Sequence, residues 1–364
     1  MQHNNFALIK PASSLCNLNC KYCFYKDVAE NRDVYAHKFM NTDVLSSIVN
    51  QYCSNAIEST TFLFQGGEPL LVGHKFYLHY LDVCARVLDL KQNEGSNFTI
   101  NSSIQTSGYL IDDKFIDIFK KGDFLVGVSI DGPAQFHDKY RLHSGKGTFD
   151  RVFERVRMMQ ESKVIFNALC VVTKDTYDKA SELLDFFVEN KIYNIQFIPA
   201  IAPFKKNRIY INDDEFSIFF LDIFDAWYKY YKQGCIISIR HIEDMFSNIL
   251  YSSCRSCDLQ GQCSNQNVIE SDGSIYPCDF YVLDEYKIGT VQNGIVNLNK
   301  SIIDNFIDSK VKHDECDTCN VYKICRGGCR RNRGKNNRSF LCKSFKKLIS
   351  CRYPQIAEVA KSIR

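Results

Sequence analysis

The sequence predicts an α/β fold in which an open, partial barrel of six strand–helix units precedes a cysteine-rich region. Two patterns support this prediction. Short apolar runs alternate with helical stretches over the first two-thirds of the chain, and cysteine spacing dominates the last third. Strand–helix alternation is typical of a parallel sheet covered by helices. Six units are too few for a closed eight-stranded barrel, so we expect a barrel domain over residues 1–238 and a second domain, ending in a helix, over 239–364.

The six predicted strands are short apolar runs. They lie at 6–12, 60–66, 98–107, 124–131, 166–173 and 192–199. Between them, apolar residues recur at three- and four-residue spacing, which predicts amphipathic helices. These helical stretches include 75–90, 148–162 and 178–190.

Polar and glycine residues follow nearly every predicted strand. A cysteine loop follows the first strand, QGGEP (65–69) the second, QTSG (105–108) the third and SIDGP (129–133) the fourth. Each could be an ordinary turn. Because the carboxyl ends of parallel strands meet on one face of a barrel, together they predict a single site.

The QGGEP turn suggests what this site binds. Gly66 and Gly67 allow the backbone to approach a ligand closely, and Glu68 offers a carboxylate to an ammonium group. A ligand that carries both an amino group and a carboxylate would suit this edge.

Composition excludes several function classes. The net charge of +3 is too small to imply nucleic acid binding, and no run approaches the roughly 18 apolar residues of a membrane-spanning helix. The start of the chain, MQHNNFALIKPASS, lacks the pattern of a signal peptide, so we expect a cytoplasmic protein.

In a reducing compartment the 17 cysteines are better explained as metal ligands than as disulfides. Four scattered cysteines are instead expected to be small buried hydrophobic residues: Cys53, Cys84, Cys170 and Cys235.

Three cysteines lie in the loop after the first strand, spaced C-x3-C-x2-C: Cys16, Cys20 and Cys23. A 4Fe–4S cluster held by three cysteines keeps one iron open for another ligand. The alternative is a zinc site that a distant residue completes.

Eight further cysteines have regular spacing in the last third. They are Cys257, Cys263, Cys278, Cys316, Cys319, Cys325, Cys329 and Cys342. Eight thiols are enough for two four-ligand sites, holding either iron–sulfur clusters or zinc, since C-x2-C pairs are common in zinc sites. Cys254 could replace Cys257, and Cys351 has no assigned role. The run RRNRGKNNR (330–338) is expected to be a basic solvated loop, with docking of an acidic partner surface or of nucleic acid as the alternative.

The stretch SLCNLNCKYCFY (14–25) resembles the signature of radical S-adenosylmethionine (SAM) enzymes, and QGGEP resembles their GGE motif. The resemblance implies a partial (β/α)6 barrel, in which the open iron chelates the amino and carboxylate groups of SAM. It also implies a set of residues that contact SAM. These are Tyr22 beside the adenine, Ser129 and Arg141 at the ribose or carboxylate, and Gly66, Gly67 and Glu68 of the GGE motif.

The later array resembles a SPASM domain, a module that carries two auxiliary 4Fe–4S clusters. The resemblance implies that Cys257, Cys263, Cys278 and Cys329 hold one cluster, and Cys316, Cys319, Cys325 and Cys342 the other. The interval between Cys329 and Cys342 is short for this module, and the last ligand departs from its pattern in this respect.

Three stretches, 8–25, 62–69 and 270–291, resemble anaerobic sulfatase-maturating enzymes. The resemblance implies oxidation of a cysteine or serine in a new sulfatase to Cα-formylglycine, after a 5′-deoxyadenosyl radical abstracts hydrogen from Cβ. Asp279 matches the base of this family; a free aspartate has a pKa near ~3.9, so burial would have to raise it. The alternative for Asp279 is a hydrogen bond to backbone. Tyr25, Gln65 and Gln105 match positions that face the substrate peptide or the radical site in this family. The alternative is that each is an ordinary polar residue, hydrogen-bonded at a strand end.

The resemblance also implies cofactors and partners. We expect SAM and three 4Fe–4S clusters, a sulfatase polypeptide as substrate, and an electron donor such as flavodoxin or ferredoxin. The protein is expected to be a monomer without nucleic acid or membrane partners. One alternative is a radical SAM–SPASM enzyme that forms a thioether or carbon–carbon crosslink in a ribosomally made peptide. The other is a zinc-dependent binding module without catalysis.

Overall fold

The structure is a computed structural model that describes residues 2–201, 210–253, 255–292, 295–308, 312–334 and 336–363. Cys254 therefore lies outside the described residues. The chain divides into two compact units. The first unit comprises Met1–Ile130, Asp138–Phe166 and Asn265–Asn305, and the second comprises Asp131–His137, Asn167–Ser264 and Phe306–Arg364. Neither unit is a continuous stretch, so the expected domain boundary after residue 238 stays a prediction.

The strands of the described residues are numbered in chain order. They are β1 (Gln2–Lys10), β2 (Ala56–Phe64), β3 (Thr99–Thr106), β4 (Leu125–Ser129), β5 (Leu142–His143), β6 (Lys146–Gly147), β7 (Phe166–Val172), β8 (Asn194–Pro199), β9 (Ser238–Ile239), β10 (Val268–Glu270), β11 (Ser274–Tyr276), β12 (Gly289–Gln292) and β13 (Ile295–Leu298). The six predicted strands overlap β1, β2, β3, β4, β7 and β8, although β1 and β2 each begin four residues and end two residues earlier than predicted.

The α-helices of the described residues follow the same order. They are α1 (Phe24–Glu30), α2 (Thr42–Ser54), α3 (His74–Asn93), α4 (Asp113–Lys121), α5 (Ala134–Tyr140), α6 (Phe149–Glu161), α7 (Ala180–Glu189), α8 (Asp213–Lys232), α9 (Arg240–Tyr251), α10 (Lys300–Asp308), α11 (Tyr322–Cys325) and α12 (Cys342–Ile363). The helices predicted at 75–90, 148–162 and 178–190 coincide with α3, α6 and α7. Within the described ranges, no helix has the length and apolar character needed to span a membrane.

The first unit contains a sheet in the order β13-β12-β11-β10-β1-β2-β3-β4. Strands β1 to β4 pair in parallel, so their carboxyl ends lie at one edge. Strand β10 pairs in parallel with β1, placing Glu270 beside Lys10, and β10 to β13 are antiparallel. The sequence did not predict these last four strands, because three or four residues are too few to show a period.

Aromatic residues form much of the core of the first unit. The ring of Phe64 lies 5.3 Å from that of Tyr77 and 4.9 Å from that of Tyr80, both edge-on, a favourable arrangement for aromatic pairs. The Tyr77 hydroxyl donates a hydrogen bond of 2.9 Å to the carbonyl of Pro69. This bond anchors the QGGEP turn to the core.

The second unit contains the parallel strands β7, β8 and β9. Helix α8 begins with a capping box, in which Asn212 and Glu215 satisfy each other's backbone N–H groups.

Of the four scattered cysteines in the whole chain, Cys53, Cys84 and Cys170 are buried as predicted, and Cys235 is half-buried.

Candidate active site

The three-cysteine motif forms the loop between β1 and α1. The backbone N–H of Leu18 donates to Cys16 Sγ at 3.4 Å, and Arg141 Nη1 lies 3.9 Å from Cys20 Sγ. The loop is fastened to the segment after α5, since Asn19 N donates to the carbonyl of Leu142 at 2.7 Å. The sequence therefore places three thiols on one short, braced loop with donors directed at two of the sulfurs.

Gly66 and Gly67 have positive φ angles of 87° and 39°. A Cβ atom on Gly66 would overlap the Lys10 side chain, and one on Gly67 would overlap the carbonyl oxygen of Leu15. Glu68 N also donates to that oxygen, at 2.8 Å. Glycine is therefore required at both positions because a larger residue would collide with Lys10 or with the start of the cysteine loop. The sequence had suggested a different reason, namely that the glycines let a ligand approach the backbone.

Glu68 is fully buried, and its carboxylate accepts four hydrogen bonds. One oxygen accepts from Leu70 N and Thr106 Oγ1, and the other from the N–H and hydroxyl of Ser107, all at 2.6–3.0 Å. Burial raises the pKa of Glu68, and the Ser107 hydroxyl lowers it in part. Since these bonds use the carboxylate's lone-pair positions, the contact of Glu68 with a SAM ammonium stays a prediction.

The other residues expected to contact SAM lie close to the cysteine loop or at a strand end. The ring of Tyr22 is buried, 5.6 Å from the ring of Tyr140 and 5.4 Å from the Arg141 guanidinium. Ser129 is half-buried at the last position of β4. Arg141 thus meets a thiol and an aromatic ring, and its expected contact with SAM stays a prediction.

Asp279 meets two of the predicted substrate-facing residues. The Tyr25 hydroxyl donates to Asp279 Oδ2 at 2.6 Å, and Gln65 Nε2 donates to the same oxygen at 2.9 Å. Gln65 Nε2 also donates to the Tyr25 hydroxyl. Gln105 is half-buried near the end of β3. The structure therefore joins Tyr25, Gln65 and Asp279 into one network.

The second carboxylate oxygen of Asp279, Oδ1, is buried and has no hydrogen-bond partner among the described residues. Burial raises the pKa of Asp279, although the Lys10 ammonium and the Tyr25 and Gln65 donors oppose that increase. Burial, together with the Asp279 charge, also raises the pKa of Tyr25 well above its ordinary value. One oxygen is thus held by the protein, while the other can accept a proton.

A buried ion cluster that the sequence did not predict lies beside this network. Lys10 Nζ and Arg32 Nη1 each lie 2.8 Å from Glu270 Oε1, and all three side chains are at most 3% exposed. Burial alone would raise the pKa of Glu270, but Lys10 and Arg32 hold it at about 2. Lys10 Nζ also lies 5.2 Å from the centre of the Tyr25 ring. In the sequence, this ion cluster is indicated only by Lys10 and Glu270, each of which lies at the end of an apolar stretch.

In the second unit, four of the predicted ligands line one pocket: Cys316, Cys319, Cys325 and Cys342. His313, Arg338 and Lys346 lie in the same lining. Among the described residues, no three His, Cys, Asp or Glu side chains converge tightly enough for a single metal ion. The four thiols therefore line a cavity and do not converge on a single-ion site.

Three other predicted ligands in the second unit also lie near one another. Burial, followed by the nearby Asp258 carboxylate and the Cys329 and Cys263 thiols, raises the pKa of Cys257 to about 12. Cys278, the expected fourth ligand, is half-buried in the first unit directly before Asp279. Cys351 is exposed.

The basic run 330–338 differs from its prediction. Its arginines are half-buried, and Arg333 donates to the carbonyls of Gly327 and Gly328 at 3.1 and 3.0 Å. Arg330 lies over the ring of Phe306 at 5.2 Å. The expectation of a solvated loop holds for Gly334, Asn336, Asn337 and the 41% exposed side chain of Arg338. It is wrong for Arg330, which covers the Phe306 ring, and for Arg333, which bonds the glycine carbonyls between Cys325 and Cys329.

Comparison with known proteins identifies this arrangement. Residues 11–187 match the model of the radical SAM superfamily. A cysteine-type anaerobic sulfatase-maturating enzyme of Clostridium novyi (strain NT) is 39% identical, over 98% of this chain and 97% of its own length. A second enzyme of that name, from Clostridium perfringens (strain 13 / Type A), is 36% identical over 98% of both chains. This chain belongs to the anaerobic sulfatase-maturating enzymes.

A solved structure of this family, described as native anSMEcpe with bound AdoMet and Cp18Cys peptide, has a TM-score of 0.89. It is 34% identical and matches 99% of this chain and 100% of its own. The comparison confirms the predicted α/β fold of the radical SAM type.

The residues present in this sulfatase-maturating enzyme fit the cofactors of its superfamily. Three thiols lie on one loop with N–H donors to the sulfurs, and four more line a pocket of their own. Thiolates are the usual ligands of 4Fe–4S clusters, and hydrogen bonds to sulfur tune their potentials. The donor set therefore suits iron–sulfur clusters.

Proposed function

We propose that this enzyme oxidises a cysteine side chain of a sulfatase polypeptide to Cα-formylglycine. The observation that carries the proposal is the Asp279 carboxylate, which is buried, held at Oδ2 by Tyr25 and Gln65, and unpartnered at Oδ1 among the described residues. Tyr25 lies two residues after Cys23, and Gln65 directly precedes the glycines that contact the cysteine loop. A proton acceptor is thereby fixed to the same elements as the cluster ligands.

The cofactors in this proposal are SAM and three 4Fe–4S clusters. Cys16, Cys20 and Cys23 would hold the SAM-binding cluster. The auxiliary clusters would be held by Cys257, Cys263, Cys278 and Cys329, and by Cys316, Cys319, Cys325 and Cys342. When bound, the first cluster and SAM supply the 5′-deoxyadenosyl radical that removes a hydrogen atom from the substrate Cβ.

Asp279 acts on the proton that the substrate must also lose. Going from a thiol to an aldehyde requires loss of the Cβ hydrogen atom, one proton and one further electron, followed by water replacing sulfur. Asp279 Oδ1 accepts the thiol proton, while Tyr25 and Gln65 fix the carboxylate so that this oxygen keeps its direction. When bound, the auxiliary clusters would take up the remaining electron. Gln105 contacts the substrate peptide, which binds in an extended form.

Cysteine is the proposed target because the relatives from both Clostridium species are named cysteine-type enzymes. Tyr22, Ser129, Arg141, Gly66, Gly67 and Glu68 are the proposed residues around SAM. An external one-electron donor and a monomeric enzyme complete the proposal.

Anaerobic incubation with SAM, a reductant and a sulfatase-derived peptide tests the reaction. A peptide with Cys before Pro or Ala is expected to lose sulfur and gain an aldehyde, detected by mass spectrometry and hydrazide capture. The matched peptide with Ser at that position is expected to react more slowly. SAM cleavage without any change in the cysteine peptide would contradict the proposal and favour crosslinking of a different peptide.

Metal analysis tests the cofactors separately. Three 4Fe–4S clusters require about twelve irons and twelve sulfides per chain. Zinc in place of iron would contradict the proposed chemistry and favour a binding module.

A further inference from the structure

The second unit contains a pocket whose lining includes four proposed cluster ligands and one arginine of the basic run 330–338. The ligands are Cys316, Cys319, Cys325 and Cys342, and we call this the four-thiol pocket. The arginine is Arg338, which lies in the short interval between Cys329 and Cys342. The proposed reaction assigns no role to this side chain.

Arg338 has a buried hydrogen-bond donor with no acceptor among the described residues. Although 41% of its side chain is exposed, its Nε atom is buried and has no hydrogen-bond partner there. Buried donors in folded proteins are nearly always paired, because an unpaired donor loses its hydrogen bond to water. The unpaired Nε–H group therefore indicates an acceptor that the described part of the chain does not supply.

The remainder of the Arg338 guanidinium is held by Glu315. Arg338 Nη2 donates to Glu315 Oε1, and Lys346 Nζ donates to Glu315 Oε2 at 3.3 Å. Glu315 and Lys346 belong to the lining of the same pocket. Since the guanidinium is planar, fixing Nη2 also fixes the direction of the Nε–H bond. Glu315 thus positions the unpaired donor.

The four thiols indicate which acceptor suits this donor. A 4Fe–4S cluster on four thiolates carries a net negative charge, and its sulfur atoms accept N–H hydrogen bonds that help to set its reduction potential. Arg338 offers an N–H group together with a permanent positive charge. Both stabilise the reduced cluster more than the oxidised one, because the reduced form carries more negative charge. Both therefore raise the reduction potential.

We propose that Arg338 donates a hydrogen bond from Nε to a sulfur atom of the cluster in the four-thiol pocket, and thereby raises the reduction potential of that cluster. This inference rests on the proposed function, since a higher potential favours uptake of the electron that cysteine oxidation releases. The substrate radical loses this electron and the cluster, when bound, gains it. Arg338 neither gains nor loses a proton.

Anaerobic redox titration of the cluster-loaded enzyme, followed by EPR, tests the effect on the potential. Arg338→Met removes the donor and the charge, whereas Arg338→Lys keeps the charge and removes the Nε–H group. The potential of one cluster is expected to fall in both variants, and to fall further in Arg338→Met. The potentials of the other clusters are expected to stay unchanged.

Lys323→Met is the matched control for the loss of one positive charge. Lys323 is exposed, two residues before Cys325, and it is outside the pocket lining. Because water and salt screen an exposed charge, this variant is expected to keep all the potentials of the unaltered enzyme.

Pulsed EPR tests the hydrogen bond itself. Unaltered enzyme that contains ¹⁵N-labelled arginine is expected to show a ¹⁵N hyperfine coupling to one reduced cluster. This coupling is expected to be absent in labelled Arg338→Lys. Iron analysis of each sample confirms that the clusters are present. The labelled unaltered enzyme decides the question even where a variant fails to assemble its clusters.

Unchanged potentials in both Arg338 variants would overturn the proposal, and so would the absence of an arginine coupling in the labelled enzyme. A lower potential in Arg338→Met alone would also overturn it, because the charge and not the hydrogen bond would then set the potential. Failure of the proposed function looks different, since the unaltered enzyme would then form no aldehyde, whatever the potentials of the Arg338 variants.

Discussion

At the scale of single residues, Asp279 shows how a weak base can be made useful. Its two oxygens have different surroundings, since Oδ2 accepts from Tyr25 and Gln65 and Oδ1 has no partner among the described residues. Burial raises the pKa of the carboxylate, which strengthens it as a base. The Lys10 charge and the donors at Oδ2 oppose that increase.

Substitution of Asp279 by Asn is therefore expected to impair aldehyde formation without impairing SAM cleavage. The variant keeps the size and the hydrogen-bonding capacity of the side chain but loses the proton acceptor. We expect SAM cleavage to stay within a few-fold of normal and aldehyde formation to fall by roughly 10²-fold or more, as for the loss of a general base. Both products are measured in the same anaerobic reaction by chromatography and mass spectrometry.

Tyr25→Phe is the matched variant, since it removes one donor to Asp279 and keeps the ring. A smaller loss of aldehyde, about tenfold, is expected because Gln65 still holds Oδ2. Unchanged aldehyde yield in Asp279→Asn would show that another group accepts the proton.

Only the local parts of the site could be predicted from the sequence, because its other parts depend on contacts between residues far apart in the chain. Cysteine spacings and the QGGEP turn are local, so that they can be recognised within a few residues. The bonds from Tyr25 and Gln65 to Asp279 span 254 and 214 residues. The family resemblance places these three residues at one site, but it does not show that they bond to one another. Lys10 and Glu270 looked like ordinary charges because their pairing depends on the contact between β1 and β10.

At the scale of elements, the long strands could be predicted from the sequence, whereas the short ones could not. Strands β1 to β4, β7 and β8 have five to nine residues, enough for an apolar run to be visible. Strands β10 and β11 have three residues each. They nevertheless position the base, because Cys278 and Asp279 follow β11 closely and β10 attaches this hairpin to β1.

Glu270 fastens that attachment, and its removal is expected to destabilise the first unit. Glu270→Gln leaves Lys10 and Arg32 as buried cations without their anion, which costs about 3–5 kcal/mol in comparable cases. Since the pKa of Glu270 is lowered to about 2, its contribution is present above the ordinary value of 4.5 and lost as pH falls from there towards 2. Thermal melting monitored by circular dichroism at several pH values measures the effect.

Glu285→Gln is the control, because Glu285 is exposed and follows the same hairpin. The melting difference between the two variants is expected to be largest near neutral pH and to shrink between pH 4.5 and 2. Equal melting temperatures at neutral pH would contradict the assigned role of the ion cluster.

At the scale of the whole molecule, the second unit combines a regular helical core with a cysteine-rich part of little regular structure. Residues 312–334 contain one four-residue α-helix, short 3₁₀ turns and the positive-φ residues Arg326, Gly327 and Gly328. Such a segment buries little apolar surface, and in small domains metal ligation commonly replaces a core. The two proposed ligand sets also interleave in sequence, so that the loss of one affects the turn that carries the other.

Cys325→Ser is expected to show this dependence. Cys325 is buried in the four-thiol pocket, and Arg326, Gly327 and Gly328 separate it from Cys329 of the other set. The variant is expected to lose at least four of about twelve irons per chain and to melt at a lower temperature. Cys351→Ser, at an exposed cysteine outside both sets, is expected to keep full iron and normal melting. Iron and sulfide assays and thermal melting are carried out on both variants, purified anaerobically in parallel. Equal iron in the two would remove Cys325 from the ligands. A loss of iron together with a lower melting temperature, both confined to Cys325→Ser, would show that folding of this part of the chain depends on cluster binding.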